Sequence, residues 1–366
     1  MKFTAPVTLR EVRPKEYAAT TLENARLIWG DLAACARALK ALALIGGAIN
    51  LERVLTLSPP PPVFIAKDGV VLVEPSTGDD EIAFRFATVL ADQKHGHSAL
   101  AGRIGPSFDA QMALAATRQG VGDMTKQLLW ARKKLDEPHV NGHLAALVAG
   151  ADKWERETSA FASMVVPRLF VRGGDFGYRR GGIFLETVRQ AGGMAAVDKT
   201  LARPPESTEQ VLHVEKYVAG EAPAAIDARP VEDFLGSRGA SRVWSTTLGE
   251  LGVAIVLESH IKEDTSTAAP GWSGDVLLCF ETAAKRPLVA WLTAWDTRND
   301  AIEFEAAARK LATALPKDEG AEHVLLREAW GAALLVNVPR DLRDGFAEAV
   351  WRCRKTAAGR SLLLAQ

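Results

Sequence analysis

Histidine, cysteine and clustered acids are where metal or nucleophilic chemistry would have to start. In this chain they are sparse. The seven histidines are His95, His97, His139, His143, His213, His260 and His323. His139 and His143 stand four apart, the spacing with which one helix face offers two imidazoles to a metal ion. Only Val140, Asn141 and Gly142 lie between them, so no glutamate is placed to act as base, and Pro138 with Gly142 reads as a solvated helix start. His95-Gly96-His97 reads as a short polar loop. No GxSxG nucleophile elbow occurs. The glycine-rich run from Arg172 to Gly182 contains neither GxxxxGK(S/T) nor a strand-anchored GxGxxG, so it is no phosphate cradle. Cys35, Cys279 and Cys353 are far apart among apolar neighbours and form no CxxC pair, which predicts buried thiols rather than disulfides or ligands. The residues by themselves assemble no complete catalytic set and call for no metal and no cofactor.

The bulk properties narrow the classes further. The chain has 366 residues, 48% hydrophobic and 24% charged, which excludes disorder, collagen and coiled coil as dominant states. Forty-four basic residues against 45 acidic ones leave a net charge of −1, too little for a global field that would hold nucleic acid or an anionic membrane. Arg352, Arg354, Lys355 and Arg360 read as a solvated helix face. The first seventeen residues hold no apolar core of signal-peptide length. The apolar stretch Ala41 to Ile49 is too short to span a bilayer and contains Gly46 and Gly47. The expectation is a cytoplasmic protein without a membrane span.

These residues need elements to position them. Leu22, Ala25, Ile28, Trp29, Leu32 and Leu39 recur at helical steps and predict a helix from about residue 15 to 45, stopped by Gly46 and Gly47. Pro59 to Pro62 form a stiff connector. Val63 to Ala66 and Val70 to Glu74 flank Asp68-Gly69 as a short hairpin. Helices are expected over 79–94, 109–134 and, with an interruption, 139–170. Ser207 to Gln210 reads as a capping box. The last third changes character, with strand pairs 275–282 with 288–295 and 324–330 with 332–338, each pair followed by a helix. Strands and helices segregate rather than alternate, so the fold class is α+β with small antiparallel hairpins in the C-terminal third. The segments expected are 1–62, a helical part with its proline connector; 63–170, a helical lobe; and 171–366, an α+β lobe.

One stretch carries a resemblance. Tyr178, Gly181, Phe184, Gly192, Gly193, Pro204 to Gln210, His213, Lys216 and Tyr217 fall in a pattern that resembles a bacterial family of gluzincin-type zinc peptidase-like proteins. Gly271 to Asp275, Trp295-Asp296-Thr297, Asp300, Ala301, Glu303 and Phe304 look like further blocks of it. The resemblance implies a helix-rich zincin-like scaffold over most of the chain. In that family one helix supplies His-Glu-x-x-His and a later one Glu-Gly-Asp. The matching segments here are Ala83 to Gln93 and Val121 to Met124.

The flanks match and the functional residues do not. Phe84 and Thr88 stand where the two imidazoles would bind zinc, Arg85 where the glutamate would polarise water, and Val121 where the third ligand would be. A phenyl ring cannot ligate zinc, and a guanidinium cannot accept a proton at neutral pH. Four losses together imply a site no longer used for hydrolysis, with no metal and no catalytic residue. Arg85, Asp123, Tyr178, His213 and Tyr217 remain as candidate cleft or partner-binding residues. Arg85, which cannot stay buried unpaired without a large cost, is expected to pair with Asp123.

The reading is a catalytically inactive, metallopeptidase-like protein that binds a protein or peptide partner as an intracellular scaffold or regulator. The alternative is an enzyme of another class, or a hydrolase with relocated metal ligands among His95, His97, Asp123 and His213. The Trp295-Asp296-Thr297 block is expected to fix a strand-to-helix junction.

Overall fold

The computed structural model describes residues 4–11, 14–57, 65–66, 70–73, 77–150, 167–357 and 360–364. The fold is α+β, with its larger antiparallel sheet in the C-terminal third. The chain divides into two compact units. The first comprises Met1–Leu27, Glu52–Gly105 and Ala110–Gly220; the second comprises Ile28–Leu51, Pro106–Asp109 and Glu221–Gln366. These bounds differ from a simple succession of segments, because each unit is gathered from separate stretches of chain. Among the described residues no helix is long and apolar enough to cross a membrane.

The first unit is helical around a small sheet. Strand β1 (Thr8–Glu11) runs parallel to β3 (Val70–Val73), and β2 (Ile65–Ala66) pairs antiparallel with β3 through Ile65 opposite Val71 and Ala66 opposite Val70. The short hairpin of the sequence is therefore present, although its turn and the proline run 59–62 lie outside the described residues. The Asp79–His95 helix ends at Gly96, which takes the left-handed conformation (φ 70°) and lets His97–Ile104 begin at once. The supposed polar loop at residues 95–97 is thus a helix junction, and His97 is buried. The expected helix 139–170 is seen as Glu137–Ala149 and Arg168–Asp175; the span between lies outside the described residues apart from its ends.

The glycine-rich run is helical throughout. Arg168–Asp175 continues through a π-helical turn, Phe176–Arg180, into Gly181–Ala202, which kinks at Gly192 and Gly193. Three of its glycines, Gly177, Gly181 and Gly182, allow close approach. A Cβ on Gly181 would lie 2.0 Å from the Ala116 carbonyl oxygen, and one on Gly120 would lie 2.4 Å from Gly181, so the Phe108–Lys134 helix and this one cross nearly backbone to backbone. Ser207 caps Thr208–Leu212 by accepting from the Gln210 amide at 3.2 Å. The Gln210 side chain returns to the Glu206 amide, one residue earlier than a reciprocal box requires.

In the second unit β4 (Ala225–Asp227) pairs with the strand near the end of the chain, while β5 (Ser241–Thr246), β6 (Trp272–Glu281), β7 (Pro287–Trp295), β8 (Ala321–Glu328) and β9 (Gly331–Pro339) form an antiparallel sheet in the order β5-β6-β7-β9-β8. The central strand β7 is buried along nearly its whole length, which is why its sequence is continuously apolar rather than alternating. One face carries Leu288, Leu292 and Leu335, which pack with Phe346 and Val350 of the Arg343–Arg352 helix. Trp291 and Trp295 meet Phe304 of the Arg298–Ala314 helix at 5.5 and 4.8 Å between ring centres. That helix has a full capping box between Thr297 and Asp300, as the strand-to-helix junction required.

Asp275 on β6 is buried and accepts from the amides of Leu248 and Gly249 and from the indoles of Trp272 and Trp291, at 2.9 to 3.1 Å. Burial pushes its carboxyl up to about 6 against those four donors.

Other expectations change in detail. The first long helix breaks at Gly30 (φ 66°), after which Asp31 caps Leu32–Ala41. The last helix ends at Arg352, and Lys355 on the following strand, β10 (Arg354–Ala357), is buried with its ammonium 4.8 Å from the centre of the Trp330 ring rather than solvated. All three cysteines are buried free thiols, and burial raises each.

Candidate functional site

The first unit brings most of the sequence-derived positions together. The Asp79–His95 helix begins with three acids in its first turn, favourable beside the positive end of the helix dipole. It presents Glu81, Phe84, Arg85 and Thr88 at steps of three and four, hence on one face. Phe84 is buried against the Phe108–Lys134 helix at Gly122, where a Cβ would come within 2.6 Å of its ring. Its ring also lies 5.2 Å from that of Tyr178, which the π-helical turn carries into the same place. Such a turn inserts one residue into the helix and rotates the next turns about its axis, and it often marks functional positions. Gly182 clears space beside it, since a Cβ there would lie 2.3 Å from the Asp123 carboxylate.

The positions where the resemblance led one to expect zinc ligands hold packed side chains. Phe84 and Val121 are buried. The Thr88 hydroxyl donates to the Phe84 carbonyl one turn back, at 3.1 Å.

A chain of polar contacts runs through the same helices. Arg85 donates to the Leu72 carbonyl of β3 and lies 3.4 Å from Glu81. Glu81 also receives Lys126 at 3.5 Å. Lys126 donates to the Tyr178 hydroxyl at 3.1 Å, and that hydroxyl lies beside Asp123. Asp123 accepts from Gln127 at a long 3.4 Å. The expected Arg85–Asp123 ion pair is not formed. Glu81, one turn before Arg85 on its own helix, takes the guanidinium instead, and Lys126 with Tyr178 stands between the two ends.

The electrostatics arise from burial. Asp123 is 8% exposed and its carboxyl is raised by desolvation, which Gln127, Arg179, Tyr178 and Lys126 oppose. Tyr178 is raised by burial and then by the Asp123 charge. Burial acts to lower Lys126, but its bond to Tyr178 and the charge of Glu81 outweigh it and leave it raised. A perturbed carboxyl and phenol in contact beside a cavity of about 270 Å³ that Asp123 helps to line is the pattern of a binding or reactive site.

Two predicted residues take no part in this chain of contacts. Tyr217 donates to the Arg203 carbonyl at 2.8 Å and meets Phe184 edge-on at 5.3 Å, which holds a loop. His213 joins two short helices, 3.7 Å from Glu215. The remaining histidines are likewise occupied. His97 contacts the Leu201 carbonyl at 2.6 Å and stacks on His95, which lies 3.6 Å from Asp198; His139 pairs with Asp136, and His143 packs on Trp130. Among the described residues His95, His97, Asp123 and His213 form no ligand group. Glu81, Lys126 and Gln127 were not legible as site residues, although Glu81 and Arg85 have the spacing of a helical ion pair.

The comparisons with known proteins bear on the other unit. A family model described as Domain of unknown function (DUF8575) matches residues 238–362. That segment contains the five-stranded sheet and none of the residues from Glu81 to Tyr178 that make the chain of contacts. No curated protein and no solved structure matches the chain.

Proposed function

We propose that the protein is a metallopeptidase-like scaffold that has exchanged its zinc chemistry for packing, and that it acts in the cytoplasm by binding a protein or peptide partner instead of hydrolysing it. The observation that carries this reading is the Phe84–Gly122 contact. A ring buried against a glycine occupies the junction where two imidazoles and a carboxylate would have to converge. Arg85 at the general-base position supports the same reading, because it is committed to Glu81 and the Leu72 carbonyl and has no lone pair for a water proton. The site retains polarity through Lys126, Tyr178 and Asp123, which suits recognition.

The test is proteolysis of an unfolded protein substrate such as casein by the purified full-length chain, with and without added zinc. The expected result is no cleavage in either condition. Cleavage that a chelator abolishes and zinc restores would overturn the reading.

A further inference from the structure

Strand β8 meets β9 through a bulge. Glu322 lies opposite Val338 and Val324 opposite Leu335, so His323 faces both Val336 and Asn337. Asn337 is 8% exposed and takes the left-handed conformation (φ 59°), which is uncommon outside glycine. Two hydrogen bonds hold it there. Its amide donates to Nδ1 of His323, and its Oδ1 accepts from the amide of Asp318, both at 3.2 Å. Because Nδ1 accepts, Nε2 carries the ring proton, and it donates to the Pro316 carbonyl, also at 3.2 Å. One neutral imidazole thus joins the bulge to the loop between the Arg298–Ala314 helix and β8. Arg286 adds a bond to the Glu319 carbonyl at 3.1 Å. Asp318, Glu319 and Gly320 of this loop line a cavity of about 600 Å³ together with Arg286 and Asn337, so the loop is one of its walls.

A proton on Nδ1 replaces its lone pair with a donor that faces the Asn337 N–H. The ring cannot then keep both contacts. Burial acts most strongly on the ring and lowers it below the ordinary 6.5, with Lys317 on the same side; the Leu315 and Pro316 carbonyls and Asp318 oppose. Glu322, beside it on the strand, lies 3.6 Å from Arg343. Strand β9 and the last turn of the Arg298–Ala314 helix carry no charged residue.

We propose that His323 is a pH-sensitive latch: neutral, it holds the 316–320 loop against the bulge, and protonated, it releases that wall of the cavity. The inference concerns the second unit and does not depend on the reading of the protein as a non-hydrolytic scaffold.

The experiment is hydrogen exchange of the full-length protein, read by mass spectrometry at about pH 7.5 and about pH 5 and corrected for the pH dependence of the chemical exchange rate. Peptides covering 316–323 and 335–339 should lose about tenfold in protection at the lower pH, while peptides from β7 keep theirs. His323→Asn retains an acceptor near the place of Nδ1 but takes up no proton, and should hold the protection at both pH values. His323→Ala should show at about pH 7.5 the low protection that the unmodified chain reaches at about pH 5. Should the alanine variant fail to fold, the other two proteins decide the case. Protection of these peptides that is independent of pH in the unmodified chain would overturn the proposal. So would an undiminished pH response in His323→Asn, or an equal loss in β7, which would make the change global rather than a release of the loop.

Discussion

Phe84 packs against Gly122 so closely that the glycine cannot carry a side chain: a Cβ would lie 2.6 Å from the ring. The two residues close the junction of the Asp79–His95 and Phe108–Lys134 helices, where the resemblance to zinc peptidases would place a metal. Gly122→Val should therefore destabilise the protein by about 2 kcal/mol or more, as overpacking does. Phe84→Leu in the same chain should recover part of that loss. Chemical denaturation of the single and double variants measures the coupling, and strict additivity would show that the contact is not tight.

Lys126 and Tyr178 form the middle of the polar chain, and Arg85 and Asp123 its ends. A double-mutant cycle on Lys126→Met and Tyr178→Phe should give a coupling of about 0.5–1 kcal/mol. The cycle on Arg85→Met and Asp123→Asn should be additive within about 0.5 kcal/mol. The reverse ranking would mean that the two ends pair directly.

The helices and strands of both units were largely legible, because hydrophobic periodicity and caps are local signals. The hairpin β6–β7, the Thr297 cap and the Asp79–His95 helix all appear near their expected bounds. The glycine-rich run was not legible as helix, since glycine is a poor helix former and its advantage here is the crossing with Ala116 and Gly120, a contact between distant parts of the chain. Lys355 was misread for a similar reason. Its burial depends on Trp330 across the fold, and the basic residues around it look solvent-facing. The choice of Glu81 over Asp123 as partner for Arg85 turned on geometry that composition cannot supply.

His97 gives the protein an acid-sensitive element. Burial lowers its folded-state value below the ordinary 6.5, and its ring contacts the Leu201 carbonyl as a neutral group. The unfolded chain then takes up a proton that the folded chain resists. The stabilising contribution is complete above about pH 6.5 and is lost as the pH falls below it. His97→Gln should flatten the fall in denaturation midpoint between pH 7 and about 5 relative to the unmodified chain. An unchanged slope would assign the effect to other groups.

Asp275 organises the sheet through four donors on one carboxylate. Asp275→Asn replaces an acceptor oxygen with a donor and leaves two of those groups facing an amide NH₂. A loss of about 2–4 kcal/mol is expected, from about 1–3 kcal/mol per unsatisfied buried group. It should appear as a lower denaturation midpoint with an unchanged slope. A loss under about 0.5 kcal/mol would show that the network has water as a substitute.

The central claim is that packing occupies the place of zinc. Its most direct test is the zinc content of the purified full-length protein, measured by inductively coupled plasma mass spectrometry after dialysis against a mild chelator. The account predicts well under one zinc per chain and no rise in unfolding temperature when zinc is added back. One zinc per chain that survives the dialysis, with a raised unfolding temperature, would contradict it.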